Sequence, residues 1–169
     1  MYNLPYYKEK DGAIVLEFMK QHPFAMLIGV DAELKPVATQ VPLLFSERDG
    51  HIYLRGHIMK NNDHHMAFTR NNQVLAVFTG PHTYVSASWY ENKKQASTWN
   101  YMAVHAKGEL SFLDHVRLFS MLQALTSYFE SDPSSPSLYN ELHGDYVALL
   151  LKSIVAVYFN LSISLRFCL

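Results

Sequence analysis

One cysteine in 169 residues, the penultimate Cys168, leaves no internal disulfide to staple the fold and fits a reducing compartment. Charge of neither sign dominates: 14 Lys and Arg stand against 15 Asp and Glu, a net of −1, and the basic residues do not gather on one segment. Binding to DNA as a partner is therefore not supported by charge, because a protein that grips phosphates advertises a basic surface. No stretch approaches the roughly 20 apolar residues of a membrane span, and the opening MYNLPYYKEKDG has no apolar signal-peptide core. The run from Ser153 to Leu169 is apolar but interrupted by Asn160, Ser162, Ser164 and Arg166. A soluble cytoplasmic protein, with no membrane partner, is expected. HExxH, GxSxG, GxGxxG and P-loop motifs are all missing, which sets aside zinc proteolysis, serine hydrolysis, Rossmann dinucleotide binding and P-loop chemistry. No metal site is expected either. His64 and His65 are adjacent, and on a helix neighbours point about 100° apart, too far to share one ion readily.

What is present is a well-buried globular composition, 49% hydrophobic and 17% charged, long enough for a single domain over residues 1–169. Ile14, Val15, Phe18 and Met19 share a helical face that ends at His22-Pro23, because the residue before proline disfavours helix. Phe24 to Val30 reads as a buried strand. Val37 to Phe45 alternates as the next one, with Pro42 unable to donate to a ladder and so placed at an edge, a bulge or beside a ligand. His51 to Arg55 and Val74 to Thr79 are further strands, separated by a helix over Asn61 to Arg70. Gly80-Pro81 is expected to break the latter strand. Thr98 to Leu113 reads as a long strand with Gly108 as a bulge candidate. Asp114 can cap a helix whose Leu118, Leu122, Leu125 and Phe129 form one buried stripe. A loop over DPSSPS, a helix over Tyr146 to Lys152 and a strand from Ile154 complete an α+β, mainly β pattern.

Residues Gly80 to Gly108 hold both tryptophans, Trp89 and Trp99, with Ser86, Ser88, Thr98, Asn100, two histidines (His82, His105) and the Lys93-Lys94 pair. Rings to pack a planar group, amides and hydroxyls for its edge, and cations for its charge suit an anionic heteroaromatic ligand. An aromatic core segment would have the same composition. GPHTYVSASWY and TWNYMAVHAKG, preceded in order by HPFAMLIGV, ATQVPLLF and LRGHIMKNN, resemble the PaiB-type FMN-binding negative transcriptional regulator family. The resemblance runs from Met1 to about Val157. It implies a six-stranded split β-barrel with peripheral helices, FMN as cofactor, and a homodimer with flavin sites at the subunit interface. The function implied is a negative transcriptional regulator or redox sensor. The alternative is a flavin-dependent oxidoreductase of the pyridoxamine-phosphate-oxidase-like group, with no catalytic residue singled out beyond His57, His82 or His105 as proton carriers.

Candidate site residues divide into three sets. Arg55, Gly56, His57, Lys60 and Asn61 combine a basic strand end, a glycine that permits close approach and a helix entrance, a phosphate cradle by type. Ordinary solvated charges at a strand end are the alternative. The resemblance implies flavin phosphate contacts for Arg55 and Lys60, and flavin ring contacts for Thr39, Gln40 and Val41. It implies that Ser88, Trp89, Trp99 and Asn100 line the other side, from the partner subunit. Where the family continues into a polar KLSQNR-like segment, this sequence reads SIVAVYFNLSISLRFCL, so weaker cofactor retention is expected.

Overall fold

The computed structural model describes residues 7–48, 51–92, 94–130, 132, 134–135, 137–138 and 144–168, with backbone alone at 48, 146, 148, 150 and 162–168. Lys93, two prolines of the DPSSPS loop and the side chain of Cys168 therefore lie outside the described residues.

Helix α1 (Gly12–Gln21) begins where the Asp11 carboxylate accepts the Ala13 N–H at 2.8 Å, and it buries Val15, Phe18 and Met19. It ends at His22, before Pro23, as its sequence dictates. Strand β1 (Phe24–Val30) follows, then β2 (Pro36–Pro42) and β3 (Leu44–Arg48). These last two were expected as one strand. Pro42 has no N–H for the ladder; Leu43 makes a last bond to the β1 side, donating to Pro23 O at 2.8 Å, and from Leu44 the chain pairs with β4 instead. The strand count is therefore seven rather than six.

Strand β4 (His51–Met59), helix α2 (Asp63–Arg70), β5 (Gln73–Val85), β6 (Thr98–Phe112), helix α3 (His115–Phe129), helix α4 (Gly144–Ser153) and β7 (Ile154–Cys168) complete the chain. All pairings are antiparallel, in the order β2-β1-β5-β6-β7-β4-β3. The first and last strands of that order are consecutive in the chain, joined through Leu43 alone. The sheet must therefore curl until its two edges meet, although no ladder closes it. Gly56 on β4 marks the seam: a Cβ there would stand 2.8 Å from Pro42 O and 3.0 Å from a Leu43 methyl. Inside the curl lie Leu27, Leu54, Phe78, Val104, Leu110 and Phe159, all essentially inaccessible, with Met19 and Phe68 brought in by α1 and α2. Each such side chain contributes about 1.5–3 kcal/mol on burial.

Three further expectations change. Gly80-Pro81 does not end β5; the ladder shifts register between Thr79 and His82 and continues to Val85↔Thr98. Gly80 leaves room for the Phe18 ring, which a Cβ would meet at 2.6 Å. Gly108 is not the bulge. The register shift falls between His105 and Lys107, with the extra residues on β7, while a Cβ on Gly108 would run into the Asn160 carbonyl. The α3 stripe buries Leu118, Met121 and Leu122 in a second cluster with Val147 and Ala156 outside the curl, but Phe129 is exposed at the helix end. Among the described residues no helix is long and apolar enough to cross a membrane.

Candidate functional site

Period-two alternation divides β4 cleanly. Leu54, Gly56 and Ile58 point inward and are buried, so Arg55 and His57 share the outer face. There α3 and α4 cover the sheet, and both side chains are half-buried. Arg55 Nε and His57 Nδ1 are buried nitrogens with no hydrogen-bond partner. A buried polar atom left unpaired costs about 1–3 kcal/mol, so two on one strand face mark a place built for something else to bind. Burial also holds the His57 imidazole below its ordinary pKa, favouring the neutral ring.

Arg55 lines a cleft of ≈ 670 Å³ between the outer face of the sheet and α3, with Ser46, Ser111, Arg117, Ser120 and Tyr158. Tyr158 stacks on Tyr53 with ring centroids 4.6 Å apart, stiffening its floor. Arg117 is held loosely by Asp114 at 3.8 Å, and Glu47 stands at the rim. A second cleft of ≈ 380 Å³ also reaches Arg55 and is lined by Leu44, Phe45, Ala124, Tyr128 and Lys20. Arg117, the three serines and these α3 positions escaped the sequence reading. The signal available was a helix face at 117, 120, 121, 124 and 128, but its periodicity does not reveal which strand it covers.

The other predicted residues are placed as follows. Lys60 ties the end of β4 to the C-terminus of α4, its N–H donating to Ser153 O at 2.8 Å and its ammonium to Leu151 O at 3.5 Å. Those last carbonyls carry the negative end of the helix dipole, so the cation is well matched there. Asn61 takes φ +63° and donates its N–H to His65 Nδ1, while Asn62 caps α2. Gly56 faces the seam inside the sheet, away from any ligand on the outer face. On edge strand β2, Gln40 is exposed, Thr39 is half-buried, and Val41 belongs to the core at 2% exposure. Val41 nevertheless touches the position a Cβ on Gly56 would occupy, at 3.5 Å, so β2 and β4 do meet.

Ser88 and Trp89 sit on a 3-10 turn (Ala87–Trp89) and Trp99 and Asn100 on β6, together on a two-stranded arm that projects beyond the sheet. Trp89 is 71% exposed and Trp99 58%, the latter flanked by the rings of Tyr84 and His82. The pairing register measures their separation from Arg55. Arg55 lies opposite Tyr158, which lies opposite Ser111, twelve positions along β6 from Trp99. At about 3.3 Å per residue that is roughly 40 Å along the strand. Within one protomer the basic set and the tryptophan set therefore lie at different ends of the β6 ladder.

Comparison with known proteins agrees with this architecture. A family described as "Putative FMN-binding domain" matches residues 1–163. The protease synthase and sporulation protein PAI 2 of Bacillus subtilis (strain 168) is 33% identical over 155 residues, covering 92% of this chain and 74% of its own. Among solved structures, the FAD and haem binding protein from Mycobacterium smegmatis superimposes with a TM-score of 0.68 at 14% identity, over 96% of this chain and 73% of that one. The flavocytochrome Anf3 from Azotobacter vinelandii gives 0.65 at 13% identity, over 100% and 72%. At such identities the likeness is one of fold, the split barrel that the motifs implied.

Proposed function

This chain belongs to the FMN-binding domain family, and from that premise we propose that it works as a PaiB-type homodimeric FMN protein, a cytoplasmic flavin sensor acting on transcription. The observation that carries the site is the pair of buried, unpartnered nitrogens, Arg55 Nε and His57 Nδ1, on one face of β4. They fit a flavin phosphate or another anionic acceptor. A guanidinium presents a planar fork to phosphate oxygens, and a buried neutral imidazole can donate or accept one further bond. Lys60, fixed on the carbonyls of α4, adds positive potential to that strand end. Gln40, exposed on the edge strand at the seam, is the side chain of the Thr39–Val41 set free to reach a ring edge.

FMN, when bound, supplies reversible one- and two-electron chemistry. The protein's part is to place it and to exclude water. Trp89, Trp99, Ser88 and Asn100 contribute through a second copy, because in their own protomer they stand roughly 40 Å along the strand from Arg55. A two-stranded ribbon is marginal by itself in water, so an arm carrying exposed tryptophans gains its order by packing on a partner. The test is an absorption titration of the full chain with FMN, combined with light scattering for mass. Oxidised-flavin bands on a dimer are expected, with Arg55→Ala weakening FMN about 10–100-fold, since charge-assisted contacts lose about 1.5–3 kcal/mol. A monomer that takes up FMN, or an Arg55→Ala protein that binds it as tightly as the parent, would overturn the assignment.

A further inference from the structure

Helix α2 begins with a reciprocal cap. Asn62, just before its first turn, accepts the His65 N–H on its side-chain oxygen at 3.0 Å. His65 answers from the same turn, its Nδ1 accepting the Asn61 N–H at 3.1 Å. In the usual capping box the third helical residue is Glu or Gln, whose side chain stays an acceptor near neutral pH. An imidazole nitrogen accepts only while it carries no proton. The neutral His65 ring therefore keeps its hydrogen on Nε2, and a second proton, at Nδ1, removes the acceptor that Asn61 faces. Asn61 stands at φ +63°, a left-handed conformation that asparagine tolerates and most residues do not.

The surroundings act on the same proton. Burial, then the neighbouring His64 and Lys60, hold the His65 pKa below its ordinary value. A cation in the first turn also meets the positive end of the helix dipole. From β6 the His65 ring meets Phe112, with centroids 5.1 Å apart. His64 has Nδ1 3.2 Å from the Asp63 carboxylate and a buried Nε2 without a partner. The turn between β1 and β2 brings Asp31 and Glu33 to a small cavity shared with Asp63 and Arg70 of α2.

We propose that the turn over residues 60–62 is a proton-operated latch, closed while His65 is neutral and opened when Nδ1 takes up a proton, which releases Asn61 and the first turn of α2. Lys60 stays tied to α4 through Ser153 O and Leu151 O, so the release is confined to the α2 side. Because the closed form binds the proton less readily than the open one, it is held fully above about pH 6.5 and weakens as pH falls below that. The latch is built from the chain alone and does not depend on FMN being the cofactor.

Nitrogen-15 NMR of the full chain, with and without FMN, reads both partners of the bond. Neutral His65 should show the Nε2–H tautomer and titrate below about 6.5. Protection of the Asn61 amide against solvent exchange, corrected for the intrinsic pH dependence, should fall about fivefold from pH 8 to pH 5, the worth of one ordinary hydrogen bond. Amides in the β1 ladder should keep theirs, which separates the latch from global unfolding. His65→Gln supplies an acceptor that does not titrate, so Asn61 should stay protected at both pH values. His65→Phe keeps a ring against Phe112 without an acceptor, and Asn61 should be unprotected at both. Parent protection that survives at pH 5, protection that persists in His65→Phe, or an equal loss on acidification in His65→Gln would each overturn the proposal.

Discussion

Replacing Gly56 with alanine should destabilise the fold more than it harms the ligand site. The added Cβ would lie 2.8 Å from Pro42 O, 3.0 Å from Leu43 Cδ2 and 3.5 Å from Val41 Cγ1. The leucine methyl can move aside, but the carbonyl belongs to the backbone where β2 bends into β3. Relieving that contact requires the seam to open by a few tenths of an ångström. Overpacking of this kind costs about 1–3 kcal/mol, and the reduced freedom of alanine in the unfolded chain returns about 0.4–1 kcal/mol. A net loss of up to about 2.6 kcal/mol remains. In a chain of this length each kcal/mol moves Tm by roughly 2–4 °C, so a drop of up to roughly 10 °C is expected by differential scanning calorimetry. FMN affinity should change far less than in Arg55→Ala, because Gly56 faces the inside. Gly12→Ala is the control, since a Cβ there meets nothing within 4 Å. An alanine at position 56 that leaves Tm at the parent value while abolishing flavin binding would refute the seam argument and restore a ligand-facing role for this glycine.

Gly108→Ala should be harsher, because the new Cβ collides with the Asn160 carbonyl between β6 and β7; soluble yield and urea midpoint should fall well below those of Gly56→Ala. Trp99→Ala and Trp89→Ala, at exposed positions, should leave urea stability of the protomer within about 0.5 kcal/mol yet lower the dimer fraction in sedimentation and weaken FMN. Unchanged mass and affinity would remove the arm from the site. Burial depresses the folded-state pKa of His57, so the unfolded chain takes up the proton more readily and the stabilisation from keeping it neutral is lost as pH falls through about 6.5. Urea midpoints should therefore decline from pH 8 to pH 5, and His57→Asn should flatten that slope. A slope that survives the substitution would assign it to another group, with His65, also depressed by burial and by the nearby His64 and Lys60, the next to replace.

Much of the local structure was legible from neighbouring residues. Asp114 caps its helix through its own side chain, His22-Pro23 stops α1, and alternation separates the inward from the outward residues of β2 and β4. These features depend on a few consecutive residues and on the fixed periods of helix and strand. Proline at 42 announced an irregular edge strand, and the five ordered motifs pointed to the family. Distant backbone decided what a few neighbouring residues could not show. Gly80-Pro81, expected to break β5, continues it because the β6 ladder holds it, and Gly108, expected as a bulge, lies beside the Asn160 carbonyl instead. The packing of Gly56 at the seam with Pro42 and the bond from Lys60 to the end of α4 were likewise not visible from the local sequence.

Amino-acid sequence alone determined the elements, the family, and the residue types able to meet an anion and a flat ring. Only the tertiary structure decided where they stand. It set Arg55 and His57 under α3, faced Arg117 and Ala124 toward a groove, and held the tryptophans roughly 40 Å away along β6. Period and propensity are properties of one segment, whereas register, seam closure and the face a helix covers are settled by many weak contacts at once.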